Sequence, residues 1–427
     1  MTDTSTRAVA DPDDRALAES LFDALRAKTG DGVGITRASY GKGESDAIEI
    51  VEAKARALGL PTERDNGANL VVTLAGSEPH LPFLACGSHL DSVSQGGNFD
   101  GGAGVIAGLT VLASLKKEGF KPKRTLKLYA LRGEESARFG KAYVGSSTLM
   151  GKLTPDDLAL KDTSGATLGD CMRDVGVDID KVRKGDPLLD AKHMGAWLEL
   201  HIEQGPVLVA RKLPVAIVTG IRGNLRHRNV ECIGTPGHSG AVPRWLRHDA
   251  VFAAAELISH LDRHWRNMLE RGRDVVVTTG LFNTDAQEHA IARIPGKVDF
   301  SFEVRSQSEE TLEAFYELFR SECQMIEEER GVEFKLDRRL HSEPAVMDPA
   351  WVERLKAAAR SLGLPDEAMP SGAGHDAAVF ANAGVPAAMI FIRNEHGSHN
   401  PQEAMEIDDF LAGVAMMRVA LKEASLR

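Results

Sequence analysis

Short apolar segments alternate with helical segments in the first half of the chain, and this alternation constrains the fold more than any other feature. Strand-like segments cover residues 69–76, 81–89, 125–133 and 197–205. Helical periodicity covers residues 14–28, 45–58 and 102–119. Because neighbouring parallel strands are joined by crossover helices, this order predicts an α/β fold with a mostly parallel sheet covered by helices on both faces.

A different order interrupts the alternation in the middle of the chain. Strand-like segments cover residues 224–234, 274–282, 297–305 and 332–340, and helical segments cover residues 248–268 and 308–330. The resulting order βαββαβ is the ferredoxin-like pattern of an independent unit. A helix at 350–362, a strand at 386–393 and a helix at 408–424 then restore the α/β pattern. We therefore predict a discontinuous α/β domain, residues 1–219 and 339–427, with an inserted ferredoxin-like domain at 220–338.

Charge and cysteine content narrow the expected partners. The chain has 51 basic and 62 acidic residues, a net charge of −11, so neither nucleic acid nor an anionic membrane surface is an expected partner. The longest mostly apolar stretch, 377–392, contains Asn382 and Pro386 and is too short to span a membrane. Residues 1–14 are polar and lack the apolar segment of a secretory signal. Four dispersed cysteines without a CxxC pair predict free thiols in a reducing compartment, and hence a cytoplasmic protein.

The segment ACGSHLDSVSQGGNFDGGAGV (85–105) carries the strongest chemical signal. His89 ends a predicted strand, at the edge of an open α/β sheet where ligands bind. Asp100 follows in a loop of small residues, and an imidazole with a carboxylate suits Zn²⁺, Mn²⁺ or Co²⁺. Asp91 is placed to accept the other N–H of the His89 ring. The alternative interpretation is a glycine-rich turn with incidental polar residues.

Two neighbouring carboxylates follow the strand at 125–133. Glu134 and Glu135 repel each other unless a cation lies between them or one is protonated, and a metal ligand beside a general base would relieve that repulsion. A solvated acidic loop is the alternative. In LELHIEQGPVL (198–208), His201 and Glu203 are two residues apart and are expected on one face of a strand.

The segment NEHGSHNPQEAM (394–405) adds His396 and His399 after an apolar strand. Each of these segments lies at the carboxyl end of a predicted strand of the same sheet. Five candidate ligands exceed a tetrahedral catalytic site and favour two divalent ions that share a bridging carboxylate, with Glu134 as the general base. Mn²⁺ or Zn²⁺ fits these ligands, as do Co²⁺ and Ni²⁺. The five are His89, Asp100, Glu135, His201 and His399.

Together, the motifs GSHLDSV, GGNFDG, EES-RF, HIEQG and SHNPQE resemble those of the hydantoinase/carbamoylase branch of the di-metal aminoacylase–carboxypeptidase superfamily, over nearly the whole chain. That branch contains N-carbamoyl-L-amino-acid hydrolases, allantoate amidohydrolases and β-ureidopropionases. The resemblance implies that His89, Asp100 and His201 hold one ion, and that Asp100, Glu135 and His399 hold the other. His201 itself distinguishes this branch, because the related peptidase and deacylase branches have a carboxylate there.

The resemblance also implies a set of substrate contacts and a homodimer formed through the inserted dimerisation, or lid, domain. It places Gln204 facing the substrate, and His238 in TPGHSG polarising the scissile carbonyl. Arg305 in FEVRS would bind a substrate carboxylate, and His375 in SGAGHDA would line the site. From the residues alone, His238 also fits a turn and Arg305 also fits a surface position at a strand end.

The chain departs from the family pattern at positions that contact substrate. SGAVPR replaces the usual AGTTPM and introduces Arg244, which becomes a further candidate for substrate binding. Ala292 stands where the family has an asparagine that binds the substrate carboxylate. The segment before His399 is one residue short and contains His396. The pattern thus preserves the hydrolytic residues and leaves the substrate open.

The leading hypothesis is a dinuclear metal-dependent amidohydrolase that cleaves a non-peptide C–N bond of an N-carbamoyl (ureido) amino acid or related small acid. Activated water would attack the carbonyl carbon, Glu134 would transfer the proton and His238 would stabilise the oxyanion. One alternative is an aminohydrolase, or deaminase, of an unusual amino acid such as an aromatic one. Others are an aminoacylase or dipeptidase, and a non-catalytic metal-binding protein.

Overall fold

The computed structural model describes residues 11–288 and 290–427. Residues 1–10, most of the segment predicted to lack a secretory signal, lie outside the described residues. The chain divides into two compact units, Met1–Thr219 with Val346–Arg427, and Gly220–Ala345. The sequence prediction ended the second unit at 338, before a strand at Leu340–Ser342 that pairs within that unit's sheet.

The helices are, in chain order, α1 (Pro12–Thr29), α2 (Lys42–Ala57), α3 (Gly102–Lys117), α4 (Val144–Leu149), α5 (Pro155–Leu158), α6 (Leu168–Asp174), α7 (Ile179–Arg183), α8 (Val207–Arg211), α9 (Ala250–Glu270), α10 (Glu309–Arg330), α11 (Pro349–Ser361), α12 (Asp376–Asn382) and α13 (Ile407–Ala424).

The strands are, in chain order, β1 (Thr62–Arg64), β2 (Leu70–Leu74), β3 (Phe83–His89), β4 (Leu126–Leu131), β5 (Met194–Ile202), β6 (Val215–Ile221), β7 (Gly223–Ile233), β8 (Gly237–His238), β9 (Val276–Thr278), β10 (Phe282–Thr284), β11 (Arg293–Ile294), β12 (Lys297–Ser306), β13 (Glu333–Leu336), β14 (Leu340–Ser342), β15 (Ala345–Val346), β16 (Ala368–Ser371) and β17 (Ala387–Ile392).

The sheet of the first unit has the order β1-β2-β4-β3-β5-β17-β6-β15, with β16 also paired to β6. Its centre is parallel: β4 pairs with β3, β3 with β5, and β5 with β17 in the same direction. β2 joins β4 antiparallel, and β6 joins β17 antiparallel. The predicted mixed α/β fold with a mainly parallel sheet is confirmed.

The central strands are buried along nearly their whole length, as parallel strands covered on both faces must be. Side chains of β5 point alternately to the two faces of the sheet, and each face contacts a helix. The Trp197 ring stacks on Phe380 of α12 with ring centroids 4.3 Å apart. Leu200, on the other face of β5, packs against Gly413 of α13. Helices therefore cover both faces of this sheet.

Helix α3 lies close to the central strands because glycines occupy two positions that face them. A Cβ on Gly104 would lie 2.3 Å from the Leu200 carbonyl oxygen, and one on Gly108 would lie 2.6 Å from the Leu128 side chain. Alanine at either position would force the helix away from the sheet. This close packing fixes the loop that precedes α3, which carries Asp100.

The second unit has an antiparallel sheet of order β10-β12-β7-β13, with β9 also paired to β12 and β14 also paired to β7. Strand β12 alternates between buried and half-buried residues, the pattern of a sheet covered on one face. Its buried face packs against α9 and α10, and the Phe302 ring stacks on Phe319 with centroids 4.0 Å apart.

Two segments that were each predicted as one strand of this unit are each divided into two strands, with polar contacts at the division. The segment 274–282 divides into β9 and β10, because the Gly280 and Leu281 N–H groups donate to the Ser301 hydroxyl. The segment 332–340 divides into β13 and β14 around Asp337, whose carboxylate contacts His227 Nδ1 at 3.0 Å. Among residues 11–288 and 290–427, no helix combines the length and the apolar character that a membrane span requires.

Candidate metal centre

Two histidines from the ends of neighbouring strands face each other in the first unit. His89 is the last residue of β3, and His201 is next to last in β5. Their Nε2 atoms are 3.5 Å apart and both side chains are buried. Each Nδ1 lies near a backbone carbonyl oxygen, Asp91 at 3.1 Å and Ile202 at 2.9 Å, so the ring orientations are fixed with Nε2 towards the centre.

Asp100 presents its two carboxylate oxygens to different partners. Oδ1 lies 3.4 Å from His89 Nε2 and 3.2 Å from His201 Nε2. Oδ2 lies 3.5 Å from His399 Nε2. A carboxylate that faces imidazoles with both oxygens has the geometry to bridge two cations if both are bound.

The second group of ligand candidates comes from the loops after β4 and β17. His399 Nε2 lies 3.2 Å from Glu135 Oε1, and the ligand atoms of His399, Glu135 and Asp100 lie close together. The His399 side chain is 51% exposed, whereas Glu135 and Asp100 are buried. The five predicted ligand candidates thus lie in two groups that share Asp100, with the second group open to solvent.

Asp91 connects these loops through hydrogen bonds to backbone. Its Oδ1 accepts the N–H of Glu134, and its Oδ2 accepts the N–H of Glu135, both at 3.0 Å. Oδ2 also accepts the Ser39 hydroxyl at 2.6 Å, and Oδ1 lies 3.3 Å from His89 Nδ1. One carboxylate therefore positions both glutamates and faces a ligand candidate.

The glycine after Asp100 allows the loop to pass beside the His89 ring. Gly101 has φ +64°, and a Cβ there would lie 2.5 Å from atoms of that ring. Its N–H points to His201 Nε2 at 3.2 Å. A side chain at this position would clash with a ligand candidate and strain the backbone.

Glu134 is buried beside the first group, with Oε2 3.8 Å from His89 Nε2. Burial, together with the charges of Glu135, Asp376 and Asp91, raises the pKa of Glu134 well above its ordinary value of 4.5. His89 acts in the opposite direction, because its positive charge favours the carboxylate.

The imidazoles and Asp100 shift each other's ionisation. Burial lowers the pKa of His89 and of His201, but the surrounding carboxylates outweigh it, and both pKa values rise above 6.5. Burial raises the pKa of Asp100, but His201 and His89 hold it well below 3.8. The hydrogen bond to Glu135 raises the pKa of His399. The carboxylates thus favour protonation of the imidazoles, and the imidazoles favour ionisation of Asp100.

Three polar residues complete the surroundings of Asp100. Gln204 Nε2 donates to Asp100 Oδ2 at 2.7 Å, and its predicted contact with the substrate stays a prediction. The Ser398 hydroxyl contacts Asp100 Oδ2 and donates to Glu403 Oε2 at 2.7 Å. Glu403 Oε1 in turn accepts the N–H groups of Phe99 and Asp100. Sequence reasoning did not assign roles to Ser398 and Glu403, although both lie within the SHNPQE motif.

Gln204 and His399 share an uncommon backbone conformation. Each has φ +61°, in the left-handed region that non-glycine residues seldom occupy. The Gln204 N–H donates to the Asn394 side chain at 2.9 Å, which holds the turn after β5. His396 also has a positive φ, +65°, and is exposed in the loop before His399.

The expectation that Glu203 shares a strand face with His201 is wrong. Strand β5 ends at Ile202, and the Glu203 carboxylate turns to accept the N–H groups of Val207 and Leu208 at 2.8 and 2.7 Å. It thereby satisfies the first donors of helix α8, which would otherwise be unpaired.

His375 lies behind His201. The two ring centroids are 4.4 Å apart, and His375 Nε2 lies 2.9 Å from the Ser371 hydroxyl. Burial and the charges of His201 and His89 lower the pKa of His375 well below 6.5, so it is the neutral imidazole of the site. Glu199 also lies near these histidines, but its oxygens accept the Ser88 hydroxyl, the Trp197 indole N–H and the Ala377 N–H. These contacts make Glu199 a structural carboxylate.

The second unit carries the remaining predicted residues. His238 is exposed in β8, and the next residue, Ser239, donates its N–H to the Ala292 carbonyl oxygen at 2.9 Å. Two positions of interest to substrate binding, His238 and Ala292, are therefore neighbours. Arg244 is exposed in the same loop region. Arg305, on β12, makes a bidentate ion pair with Glu303, with both N···O distances 3.0 Å.

The donor set of the first unit fits two divalent ions. Oxygen and imidazole donors without thiolates suit Mn²⁺, Zn²⁺, Co²⁺ or Ni²⁺. The ring nitrogens and carboxylate oxygens of each group lie within 4.8 Å of one another. Burial of charged ligand candidates is costly unless a cation compensates them. Because ligands bind ions in their deprotonated form, ions would compete with protons for these imidazoles.

Comparison with known proteins gives a consistent result. The model of peptidase family M20/M25/M40 matches residues 85–423. The N-carbamoyl-L-amino acid amidohydrolase of Geobacillus stearothermophilus is 33% identical over 392 residues, 90% of this chain and 92% of that protein. The allantoate amidohydrolase of Escherichia coli (strain K12) is 31% identical over 390 residues, 91% of this chain and 92% of that protein. A hydantoinase/carbamoylase family amidase structure from Burkholderia multivorans has a TM-score of 0.86 at 27% identity, covering 97% of this chain and 98% of that chain.

Proposed function

The chain belongs to peptidase family M20/M25/M40, and from that premise we propose that it is a dinuclear metal-dependent amidohydrolase. It cleaves a C–N bond other than a peptide bond, in an N-carbamoyl (ureido) amino acid or a related small carboxylic acid. The similar enzymes from Geobacillus stearothermophilus and Escherichia coli are amidohydrolases of N-carbamoyl-L-amino acids and of allantoate.

One observation carries the proposal: Asp100 turns one oxygen to the His89–His201 pair and the other to His399. His89, Asp100 and His201 would hold the first ion. Asp100, Glu135 and His399 would hold the second. When bound, the two ions would lower the pKa of a water molecule and polarise the substrate carbonyl.

The remaining steps belong to residues of the chain. Glu134, buried beside His89, accepts the proton of the attacking water and delivers it to the leaving nitrogen. Asp91 keeps Glu134 in place through its backbone N–H. Gln204 contacts the substrate from the turn after β5, and His375 supports His201 and lines the site.

The second unit supplies the other substrate contacts in this proposal. His238 donates a hydrogen bond to the oxyanion, and Arg305 and Arg244 attract the substrate carboxylate. The strand order β10-β12-β7-β13 with two covering helices supports a ferredoxin-like domain, which we infer to be the dimerisation and lid domain of a homodimer. The free, buried cysteines support a cytoplasmic location.

A substrate screen on protein reconstituted with Mn²⁺ or Zn²⁺ tests the function, with ammonia and CO₂ measured separately. Decarbamoylation releases both in equal amounts, and this is the expected result for N-carbamoyl amino acids. Ammonia without CO₂ would identify an aminohydrolase, the candidate that Arg244 and Ala292 favour because they alter the substrate-binding positions. Release of a free acid or amino acid without ammonia would identify an aminoacylase or dipeptidase.

A further inference from the structure

A buried ion pair joins helix α2 to the residue that follows strand β4. Glu44 lies in the first turn of α2 and is 0% exposed, and Arg132 is 4% exposed. Arg132 Nη1 contacts Glu44 Oε2, and Arg132 Nε donates to the Ala68 carbonyl oxygen at 2.9 Å. Burial of two opposite charges is costly unless further hydrogen bonds satisfy them. Arg132 lies two residues before Glu134, so the other partners of Glu44 bear on the proposed base.

The Glu44 carboxylate accepts two backbone N–H groups in addition to its contact with Arg132. Oε1 accepts the N–H of Gly133 at 2.8 Å, and Oε2 accepts the N–H of Tyr40 at 2.9 Å. Burial raises the pKa of Glu44 to about 7, and Arg132 acts against burial because its charge favours the carboxylate. All three partners are donors, so they fit the ionised form, which accepts at both oxygens.

Three consecutive N–H groups of the loop after β4 are accepted by buried carboxylates. Glu44 accepts the N–H of Gly133, and Asp91 accepts those of Glu134 and Glu135. Both acceptors belong to other segments of the chain, Glu44 to helix α2 and Asp91 to the segment after β3. The proposed base and a metal-ligand candidate are thus carried by a backbone that is fixed from outside the loop.

The backbone at Gly133 has little room to move. Gly133 has φ +62°, and a Cβ there would lie 2.7 Å from Cε2 of Tyr40. Its carbonyl oxygen accepts the N–H of Val144 at 2.7 Å. Because Gly133 is held on both sides, loss of the Glu44 contact would shift the backbone that leads directly into Glu134.

We propose that Glu44 is a positioning residue for Glu134 and Glu135, and that Arg132 compensates its buried charge. An amide in place of the carboxylate would have one acceptor oxygen and an NH₂ group, and would set a donor against one of the three donors. For Glu134 the role rests on the proposed function, and for Glu135 it rests only on metal binding. Glu44 acts through the backbone of the loop rather than by contact with an ion.

Glu44→Gln tests this role on the full chain loaded with Co²⁺, which suits the ligand candidates and whose visible absorption depends on the arrangement of its ligands. We expect a changed spectrum, an affinity for Co²⁺ lower by about 10-fold in competition with a chelator, and a kcat lower by about 10-fold with KM little changed. The control is Asp14→Asn, which removes a buried carboxylate that pairs with Arg418 at 3.2 Å between helices α1 and α13. The control should lose thermal stability and keep the wild-type spectrum, affinity and kcat.

A second variant separates positioning from stability. Glu44→Leu/Arg132→Met replaces the ion pair with apolar side chains, and such a replacement often leaves a protein as stable as before. It also removes the acceptor of the Gly133 N–H, so the spectrum, the affinity and kcat should change as in Glu44→Gln. Wild-type spectra and affinities in the folded variants would overturn the positioning role. Absence of turnover in the wild type would instead contradict the proposed function, and the Co²⁺ comparison would still decide the role of Glu44.

Discussion

The carboxylate of Asp91 accepts the backbone N–H of Glu134 at 3.0 Å. The same carboxylate accepts the Glu135 N–H and the Ser39 hydroxyl, so all three hydrogen bonds require an acceptor. An asparagine would replace one acceptor oxygen with an NH₂ donor and would set it against another donor. The carboxylate therefore has a positioning role that its nearest isostere cannot fill.

We expect Asp91→Asn to reduce metal affinity by about 10–100-fold, as is typical when a group that orients a ligand is lost. Competition with a fluorescent chelator measures the change. Asp65→Asn is the control, because Asp65 also accepts several N–H groups, from Gly67 and Asn69, in a loop outside the centre. An unchanged competition curve for Asp91→Asn would show that Asp91 does not position the metal ligands.

Glu134→Gln should retain both ions and lose turnover by at least about 100-fold, because the amide cannot accept the proton of the attacking water. Metal analysis and steady-state kinetics test the two parts separately. Glu63→Gln, at a position whose side chain is 62% exposed, is the control for loss of a carboxylate. An active Glu134→Gln enzyme would mean that another group is the base.

The metal-free protein should lose stability as pH rises. The pKa values of His89 and His201 are raised above 6.5, so their contribution is fully present below pH 6.5 and is lost as pH rises through the raised values. Glu134, raised above 4.5, acts in the same direction. Asp100, whose pKa is held below 3.8, contributes in full above pH 3.8 and loses that contribution only as pH falls through the lowered pKa.

Metal binding should reverse this trend, because deprotonated ligands bind ions more tightly. Thermal unfolding between pH 6 and 9, with a chelator or with Mn²⁺, should show a Tm difference that widens with pH. His201→Gln removes one of the titrating groups and should flatten the metal-free curve. A Tm difference that narrows with pH would contradict the proposed exchange of protons for ions.

Gly101→Ala should abolish metal binding, since its Cβ would lie 2.5 Å from the His89 ring. Gly140→Ala is a matched control, because Gly140 also has a positive φ, +73°, but no atom lies within 4 Å of the added Cβ. Backbone strain should cost Gly140→Ala about 1 kcal/mol. It should cost Gly101→Ala more, because Gly101, with φ +64° and ψ −46°, lies outside the left-handed helical region. Metal content distinguishes them: normal metal content in Gly101→Ala would show that the loop can move away from His89.

Ala292→Asn should improve activity towards N-carbamoyl amino acids. It restores the asparagine that the family resemblance places beside the substrate carboxylate, and a hydrogen bond to a charged group contributes about 1–3 kcal/mol. We expect KM to fall by about 10-fold with kcat little changed. Ala290→Asn, another exposed alanine of the same loop, serves as the control. An unchanged KM would indicate a substrate that this position does not contact.

The sequence was sufficient to predict the positions of site residues that lie at or just after the ends of strands. Strands β3, β5 and β17 are long apolar runs, and parallel strands in one sheet present their carboxyl ends together. The convergence of His89, His201 and His399 follows from those two facts. The near-continuous burial of these strands was also predictable, because a central strand has no face exposed to solvent.

The sequence was insufficient to predict the hydrogen-bond partners of polar residues that could contact either nearby or distant parts of the chain. Glu203 continues the pattern of β5 by spacing, yet its carboxylate accepts the first N–H groups of α8. Ser398 and Glu403 support the loop of Asp100 from about 300 residues away in the chain. Such contacts depend on the complete fold, and spacing along the chain does not reveal them.

The left-handed backbone of Gln204 and His399 has a consequence for directed evolution of this protein. Glycine at either position would relieve a local conformational penalty of about 1 kcal/mol or more and would raise thermal stability. The same change would delete a side chain that contacts Asp100. A library selected only for heat resistance should therefore enrich inactive clones at these two codons, and selection for thermostability needs an activity screen in every round.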